Sequence, residues 1–334
     1  MRTIGEQVVV ITGASSGIGR ETAIRFGERG ASVVLAARNE EALQEVERKV
    51  ERLGGRAHVV LTDVAEWGQV DRLAREAVNR FGRIDTWVNN AAASEYATVE
   101  ETTVEEIERQ IQVILVSQLY GMKAALPHMK RQGQGTIINN ASGLAKRSVP
   151  LQGTYCAAKH GIKGFTDALR MELQHERSEI TVTLLMPSSI NTPFFGHARS
   201  KLGVKPMPIP PAYEPRAVAE AILFAAEHPR RDIVVGSAGK MLEVMERISP
   251  SLLDRLMLAR GTMFEMQKTD RPDDGRDNLF EPVRETGSTT GEFGKLSRST
   301  SLYTRHLEQH PNRKRILLGL AAAGAVALVR RARR

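Results

Sequence analysis

The chain has 334 residues, 41% apolar and 26% charged, with a net charge of +8 and a single cysteine. That length suffices for one large α/β domain with a sizeable core, while one cysteine excludes an intrachain disulfide and fits a reducing compartment. Arg313, Lys314, Arg315, Arg330, Arg331, Arg333 and Arg334 supply seven of the eight excess charges, so the body of the chain is nearly neutral and a nucleic-acid partner is not expected.

The first strand-like run, 7–12, begins only six residues in, so no signal peptide, with its charged and apolar regions, is expected. A cytoplasmic protein is expected. Apolar runs rich in Val, Ile and Leu at 8–11, 32–36, 57–61, 86–89, 136–139, 181–185 and 233–235 predict seven short strands. Their apolarity is continuous rather than alternating, as in strands covered on both faces of a parallel sheet. Helical patterns lie between them, for example 40–52 with Leu43, Val46 and Val50 at near-helical spacing. Strand and helix alternating in this way predict an α/β, doubly wound parallel sheet, a Rossmann fold.

On this reading residues 1–240 form a dinucleotide-binding catalytic domain, with the proline-rich connection 187–215 as a lid over the substrate. Residues 241–266 read as a helical extension. Polar, weakly periodic sequence at 267–315 predicts a flexible, mostly disordered linker. Residues 316–334 begin with fourteen uncharged residues, 316–329, between basic clusters. Fourteen residues are short for a transmembrane helix, which needs about 17–25. Contact of 313–334 with an anionic membrane surface and docking of an apolar helix on the domain or a second subunit both stay open.

The turn Thr12-Gly13-Ala14-Ser15-Ser16-Gly17-Ile18-Gly19 follows the first strand and opens a helix. Glycines there let the backbone approach a pyrophosphate, and the helix start offers unpaired N–H groups to it. The second strand ends Leu35-Ala36-Ala37-Arg38, with an arginine where an NAD-selective site places a carboxylate for the ribose 2′-OH. An arginine fork pairs with a 2′-phosphate, so NADP(H) is expected over NAD(H). Further along, Tyr155 and Lys159 fall on one helix face, thirteen and seventeen residues after Ser142. A phenol is a poor acid near neutral pH, but a neighbouring ammonium favours the phenolate. Ser142 could donate to a substrate oxygen. Cys156 reads as a small buried hydrophobe and His160 as structural. No Cys, His and Asp grouping has metal-ligand spacing, so no metal is expected.

In this combination the chain resembles the short-chain dehydrogenase/reductase family over roughly residues 5–240. Thr12-Gly13-x-x-x-Gly17-x-Gly19 is similar to the family's cofactor loop, which brings in Ser15, Ser16 and Ile18. Asp63-Val64 is similar to its adenine-contact pair, and Asn89-Asn90-Ala91-Ala92 to the motif after the fourth strand. Pro187-Ser188-Ser189-Ile190-Asn191-Thr192 resembles the segment that holds the nicotinamide amide, with Thr192 as the side-chain contact and Ser188 where glycine is common. The resemblance implies hydride transfer between nicotinamide and a carbonyl or secondary alcohol. Tyr155 would move the proton, Lys159 would hold the nicotinamide ribose and depress the tyrosine pKa, and Ser142 would orient the substrate. It also implies a homodimer or tetramer paired through the long helices after strands four and five.

One position departs from the family. The fourth catalytic residue, an asparagine holding a proton-relay water, aligns with Ile114, which cannot make those hydrogen bonds. Either Ser117 or Gln118 one turn on holds the water, or proton relay is impaired. A non-catalytic NADP(H)-binding module, membrane-associated and redox-responsive, is the alternative to an enzyme. Phe194, Phe195, Leu202, Met207, Ile209 and Tyr213 in the lid point to an apolar small-molecule substrate.

Overall fold

The computed structural model describes residues 2–283 and 287–310. Seven strands make the central sheet: β1 (Val8–Thr12), β2 (Ser32–Ala37), β3 (Arg56–Leu61), β4 (Thr86–Asn89), β5 (Gly135–Asn140), β6 (Ile180–Pro187) and β7 (Asp232–Val235). All neighbours pair parallel, in the order β7-β6-β5-β4-β1-β2-β3. Each lies within two residues of its expected bounds. Every residue of β1, β2, β4 and β5 is buried, which is why these strands are apolar on both alternations rather than one.

Helices α1 (Gly17–Gly27), α2 (Glu40–Arg52) and α3 (Trp67–Phe81) alternate with the first strands. α4 (Val104–Ile111) passes through a π-turn, Gln112–Val116, into α5 (Ser117–Gln132); α6 (Gly153–His175) and α7 (Pro215–Glu227) follow. α1, α2 and α7 cover one face of the sheet, and α3, α5 and α6 the other. The Asn39 side chain accepts from the Ala42 N–H and starts α2, whose Leu43, Val46 and Val50 then point into the core. Thr103 and Glu106 close a reciprocal cap at the start of α4.

The strand order reverses between β1 and β4, so successive connections leave the sheet in opposite directions and open a crevice at the strands' carboxyl ends. The glycine turn after β1, Asn90 after β4, Ser142 after β5 and the loop after β6 all border it.

Beyond β7 come helices α8 (Ser237–Ile248) and α9 (Pro250–Leu258), and Met241 and Leu242 of α8 line the crevice. Leu253, Met257 and Met263 bury against Val149 and Cys156, the thiol sitting in an apolar cluster. The expected lid, 187–215, is pinned at three places: Arg199–Ser200 pairs with Glu95–Tyr96, Val204–Pro206 with Lys268–Pro272, and Ala212–Tyr213 with Ser297–Arg298.

The sequence suggests a disordered linker at 267–315, and the described part of it differs. Lys268–Pro272 and Ser297–Arg298 are strands, Leu279 is fully buried, and Thr304 Oγ1 donates to the Val234 carbonyl at 3.1 Å. The polar composition is explained by its partners, which are mainly backbone groups and charged side chains rather than an apolar core. The segment 313–334 lies outside the described residues; among those described, no helix is long and apolar enough to cross a membrane.

Candidate active site

A cavity of about 470 Å³ occupies the crevice. Gly13, Ser15, Ser16, Gly17, Ile18, Arg38, Asp63, Val64, Asn90, Ser142, Tyr155, Lys159, Ile190 and Thr192, all expected from the sequence, line it together. Gly19 does not line it. It lies behind the loop, where a Cβ would sit 2.1 Å from the Gly13 carbonyl oxygen. Gly13 has φ +68° and a Cβ there would lie 2.8 Å from Ala91, so backbone approach and left-handed conformation both require glycine. This is a cradle fit for a pyrophosphate, a turn that a side chain would fill.

Asn90 ties the two sides of the crevice together. Its Nδ2 donates to the Thr12 and Gly13 carbonyls at 3.1 and 3.3 Å, and its Oδ1 accepts from Asn140 Nδ2 at 2.9 Å. At the far end of β2, Arg38 faces Asp63, which accepts from Arg109 Nη2 at 2.9 Å. Burial opposes ionisation of Asp63, but the hydrogen bonds from Arg109 and the Ala65 N–H, with the Arg109 and Arg38 charges, hold its carboxyl below the usual range. Arg109 carries no signal in the sequence that would have singled it out. It is one of many helical arginines until α4 is placed beside β3.

At the other end, Tyr155 and Lys159 project from the first turns of α6, with Nζ 5.3 Å from the phenol ring centroid. Ser142 follows β5 by two residues and caps a 3₁₀ turn by accepting from the Leu144 N–H at 3.1 Å. The expected electrostatics are corrected here. Burial pushes the Tyr155 phenol well above its ordinary range, against a hydrogen bond with Ser142 that lowers it. Burial also brings the Lys159 ammonium down to about 7. Desolvation of both groups, rather than the lysine charge, dominates this pair.

Lys159 Nζ donates to the Asn140 carbonyl at 2.9 Å, and Gln118 Nε2 donates to the same oxygen at 3.1 Å. Gln118 is buried, and its Oε1 has no protein partner. Ile114 lies in the π-turn, fully buried against Ala141, Ala158, Ile162 and Leu184, with no polar function. Of the two candidates one turn on, Ser117 donates its hydroxyl back to the Val113 carbonyl at 2.6 Å, so Gln118 alone reaches the lysine's acceptor.

The remaining walls are apolar. Phe194 packs edge-on to Tyr155 with ring centroids 5.9 Å apart, then Phe195 follows at 5.5 Å and Phe293 at a further 5.9 Å. Ile209, Leu242, Met263 and Met266 complete this end. Met263 and Met266 come from the helical extension, whose part in the cavity the sequence does not reveal. Ser188 Oγ accepts from the Gly239 N–H at 3.0 Å, joining the loop after β6 to α8. Among the described residues, no group of His, Cys, Asp and Glu could hold a metal ion.

The family described as short chain dehydrogenase matches residues 7–203. Bacillus subtilis "Uncharacterized oxidoreductase YxnA" is 40% identical over 332 residues, covering 97% of this chain and 92% of its own. Bovine "Dehydrogenase/reductase SDR family member 7B" is 34% identical over 264 residues, 76% of this chain and 81% of its own. Among solved structures, an alcohol dehydrogenase from the archaeon Thermococcus sibiricus, complexed with 5-hydroxy-NADP, superposes with a TM-score of 0.61 at 26% identity, over 69% of this chain and 95% of its own. A metagenomic short-chain oxidoreductase in complex with NADP gives 0.59 at 28%, over 69% and 96%. With its doubly wound sheet, glycine cradle and Ser142, Tyr155 and Lys159 on one cavity wall, the chain belongs to the short-chain dehydrogenase family of oxidoreductases.

Proposed function

We propose that the protein is an NADP(H)-dependent oxidoreductase acting on a carbonyl or secondary alcohol of an apolar small molecule. The observation that carries this reading is one continuous cavity with a glycine cradle and Arg38 at one end, Tyr155 and Lys159 at the other, and an apolar wall beyond. When bound, the dinucleotide supplies or accepts the hydride. Tyr155 gives a proton to the substrate oxygen, or takes it, from its place beside Ser142, whose hydroxyl orients that oxygen. Lys159 holds the nicotinamide ribose and passes the proton onward. Gln118, sharing its carbonyl acceptor, stands in for the side chain that Ile114 lacks. Thr192 and Ile190 position the nicotinamide end, Asp63 and Val64 the adenine.

Arg38 supports the NADP(H) preference. A guanidinium has five N–H donors, of which two bind backbone carbonyls here, leaving others for a 2′-phosphate. The two NADP-bound structural neighbours point the same way. Exposed Val104 and Ile107 on α4 and Phe165 on α6 support pairing of subunits through those helices. Titration with NADPH and NADH, followed by turnover across a panel of apolar ketones and alcohols, tests the reading. Tighter NADPH binding, with turnover abolished by Tyr155→Phe while NADPH still binds, is expected. Arg38→Asp should shift preference towards NAD(H), and unchanged selectivity would sink the 2′-phosphate assignment.

A further inference from the structure

Residues 278–283 and 287–293 touch the cofactor crevice at successive points, in order. Asn278 and Phe280 present their carbonyls to Arg38, at 2.5 Å from Nη2 and 2.6 Å from Nη1. The Val283 carbonyl accepts from Asn39 Nδ2 at 2.9 Å. The Ser288 carbonyl accepts from the Gly17 N–H at 2.8 Å, in the glycine cradle itself. The Gly291 N–H donates to the Asn191 carbonyl at 3.1 Å, and the Phe293 N–H to Asn191 Oδ1 at 3.0 Å, beside Thr192. Residues 278–283 and 287–293 thus run from the 2′-phosphate end, across the phosphate loop, to the nicotinamide end.

Their fit against the domain is close. A Cβ on Gly287 would lie 2.0 Å from the Ser15 carbonyl oxygen, and one on Gly291 2.5 Å from that of Thr192. Leu279 is the anchor, fully buried in the same cluster as Val64, Ala93 and Val113, while its carbonyl accepts from Arg109 Nε at 3.0 Å. The cavity persists beneath. Asn278, Pro282, Val283 and Gly287 line it together with the phosphate loop, so these residues wall the channel, the Ser288 carbonyl taking one N–H of that loop. The family match ends at residue 203 and the solved structures cover 69% of the chain, whereas the alignment with YxnA runs over 97% of it.

We propose that residues 278–283 and 287–293 form a clasp that closes the outer wall of the dinucleotide channel, so that cofactor enters and leaves only when it lifts. The clasp rests on the reading of the crevice as a dinucleotide site. Its attachment is mostly backbone hydrogen bonds at the channel rim plus one buried leucine, a set that can open without disturbing the sheet.

Full-length protein loaded with NADPH is chased with excess NADP⁺, and release is followed by nucleotide fluorescence in stopped flow. Wild type is compared with Gly287→Ala, which unseats the clasp at the phosphate loop, and with Leu279→Asp, which removes its anchor. Release at least tenfold faster in both is expected, as is NADPH protection of wild type from tryptic cleavage at Arg276. Gly287→Ala guards against a folding failure of the leucine variant, since residue 287 lies outside the core. Unchanged release, or tighter NADPH binding in the variants because these carbonyls compete with phosphate, overturns the clasp and leaves the dinucleotide site standing. A wild type that binds neither dinucleotide in direct titration overturns both.

Discussion

Lys159 and Gln118 donate to one acceptor, the carbonyl oxygen of Asn140, at 2.9 and 3.1 Å. That carbonyl ends β5, and its residue's side chain reaches Asn90 and so the glycine cradle. A neutral amide beside the buried ammonium shares the acceptor without adding charge. Its Oε1, buried and without a protein partner, is available to a water next to the lysine. Gln118→Leu removes both functions at nearly constant volume. We expect kcat to fall about tenfold, the equivalent of one hydrogen bond near 1.4 kcal/mol. NADPH affinity should hold, and Gln118→Asn should restore part of the rate. A positioning role also moves the pH profile: with its carbonyl no longer shared, Lys159 keeps its proton to higher pH. A rate loss with an unshifted profile would mean that Gln118 is only structural.

Ile114 invites the opposite experiment, restoration of the family's asparagine. The side chain is fully buried among Ala141, Ala158, Ile162 and Leu184, where an amide finds no partner. A buried polar group left unsatisfied costs about 1–3 kcal/mol. Ile114→Asn should therefore lower the melting temperature by several degrees and not raise kcat. Calorimetry and initial rates check this. A variant that is as stable as wild type and faster would show that the π-turn accommodates the family's relay geometry.

These two residues also mark what the sequence could convey. Strands were legible because burial on both faces leaves continuous apolar runs, and the cofactor loop because Gly13 and Gly19 are sterically obligatory. Ser142, Tyr155 and Lys159 were legible as residue types at a fixed spacing. The choice between Ser117 and Gln118 was not, since it depends on a side-chain hydroxyl folding back onto Val113. Nor was the course of residues 278–283 and 287–293. Main-chain carbonyls bound to Arg38, Asn39 and Gly17 leave no side-chain signature, and a single Leu279 in polar sequence gives no periodicity.

Burial of Lys159 has a consequence for stability. Its pKa is brought down to about 7 in the folded protein, against about 10.4 when unfolded. Between these values the unfolded chain binds the proton and the folded chain does not, so this group makes stability rise with pH from about 7 towards 10. Below 7 both states are protonated and the full penalty of the buried charge applies. Lys159→Met should thus stabilise the cofactor-free protein at pH 6, with the advantage shrinking as pH approaches 10. The Asn140 carbonyl keeps Gln118 as a donor in that variant. Melting temperatures of both proteins across pH 6–10 check it; a constant difference would mean that the lysine is not buried as a charge.

The aromatic file from Tyr155, the proposed proton donor, through Phe194 and Phe195 to Phe293 runs along the apolar wall of the cavity to the C-terminal segment. Phe194 is the member in edge contact with the phenol, and it is only half-buried, so part of its surface faces the cavity. Phe194→Ala removes that surface and an aromatic pair worth about 0.5–1.5 kcal/mol. For an apolar ketone we expect KM to rise about tenfold, with a smaller fall in kcat from the looser phenol. NADPH affinity should not change, because the cradle and Arg38 lie at the other end of the cavity. Steady-state kinetics with a homologous series of ketones would resolve this, the penalty growing with chain length if the wall binds the alkyl part. An equal penalty for short polar and long apolar ketones would place the substrate elsewhere and leave Phe194 as support for Tyr155 alone.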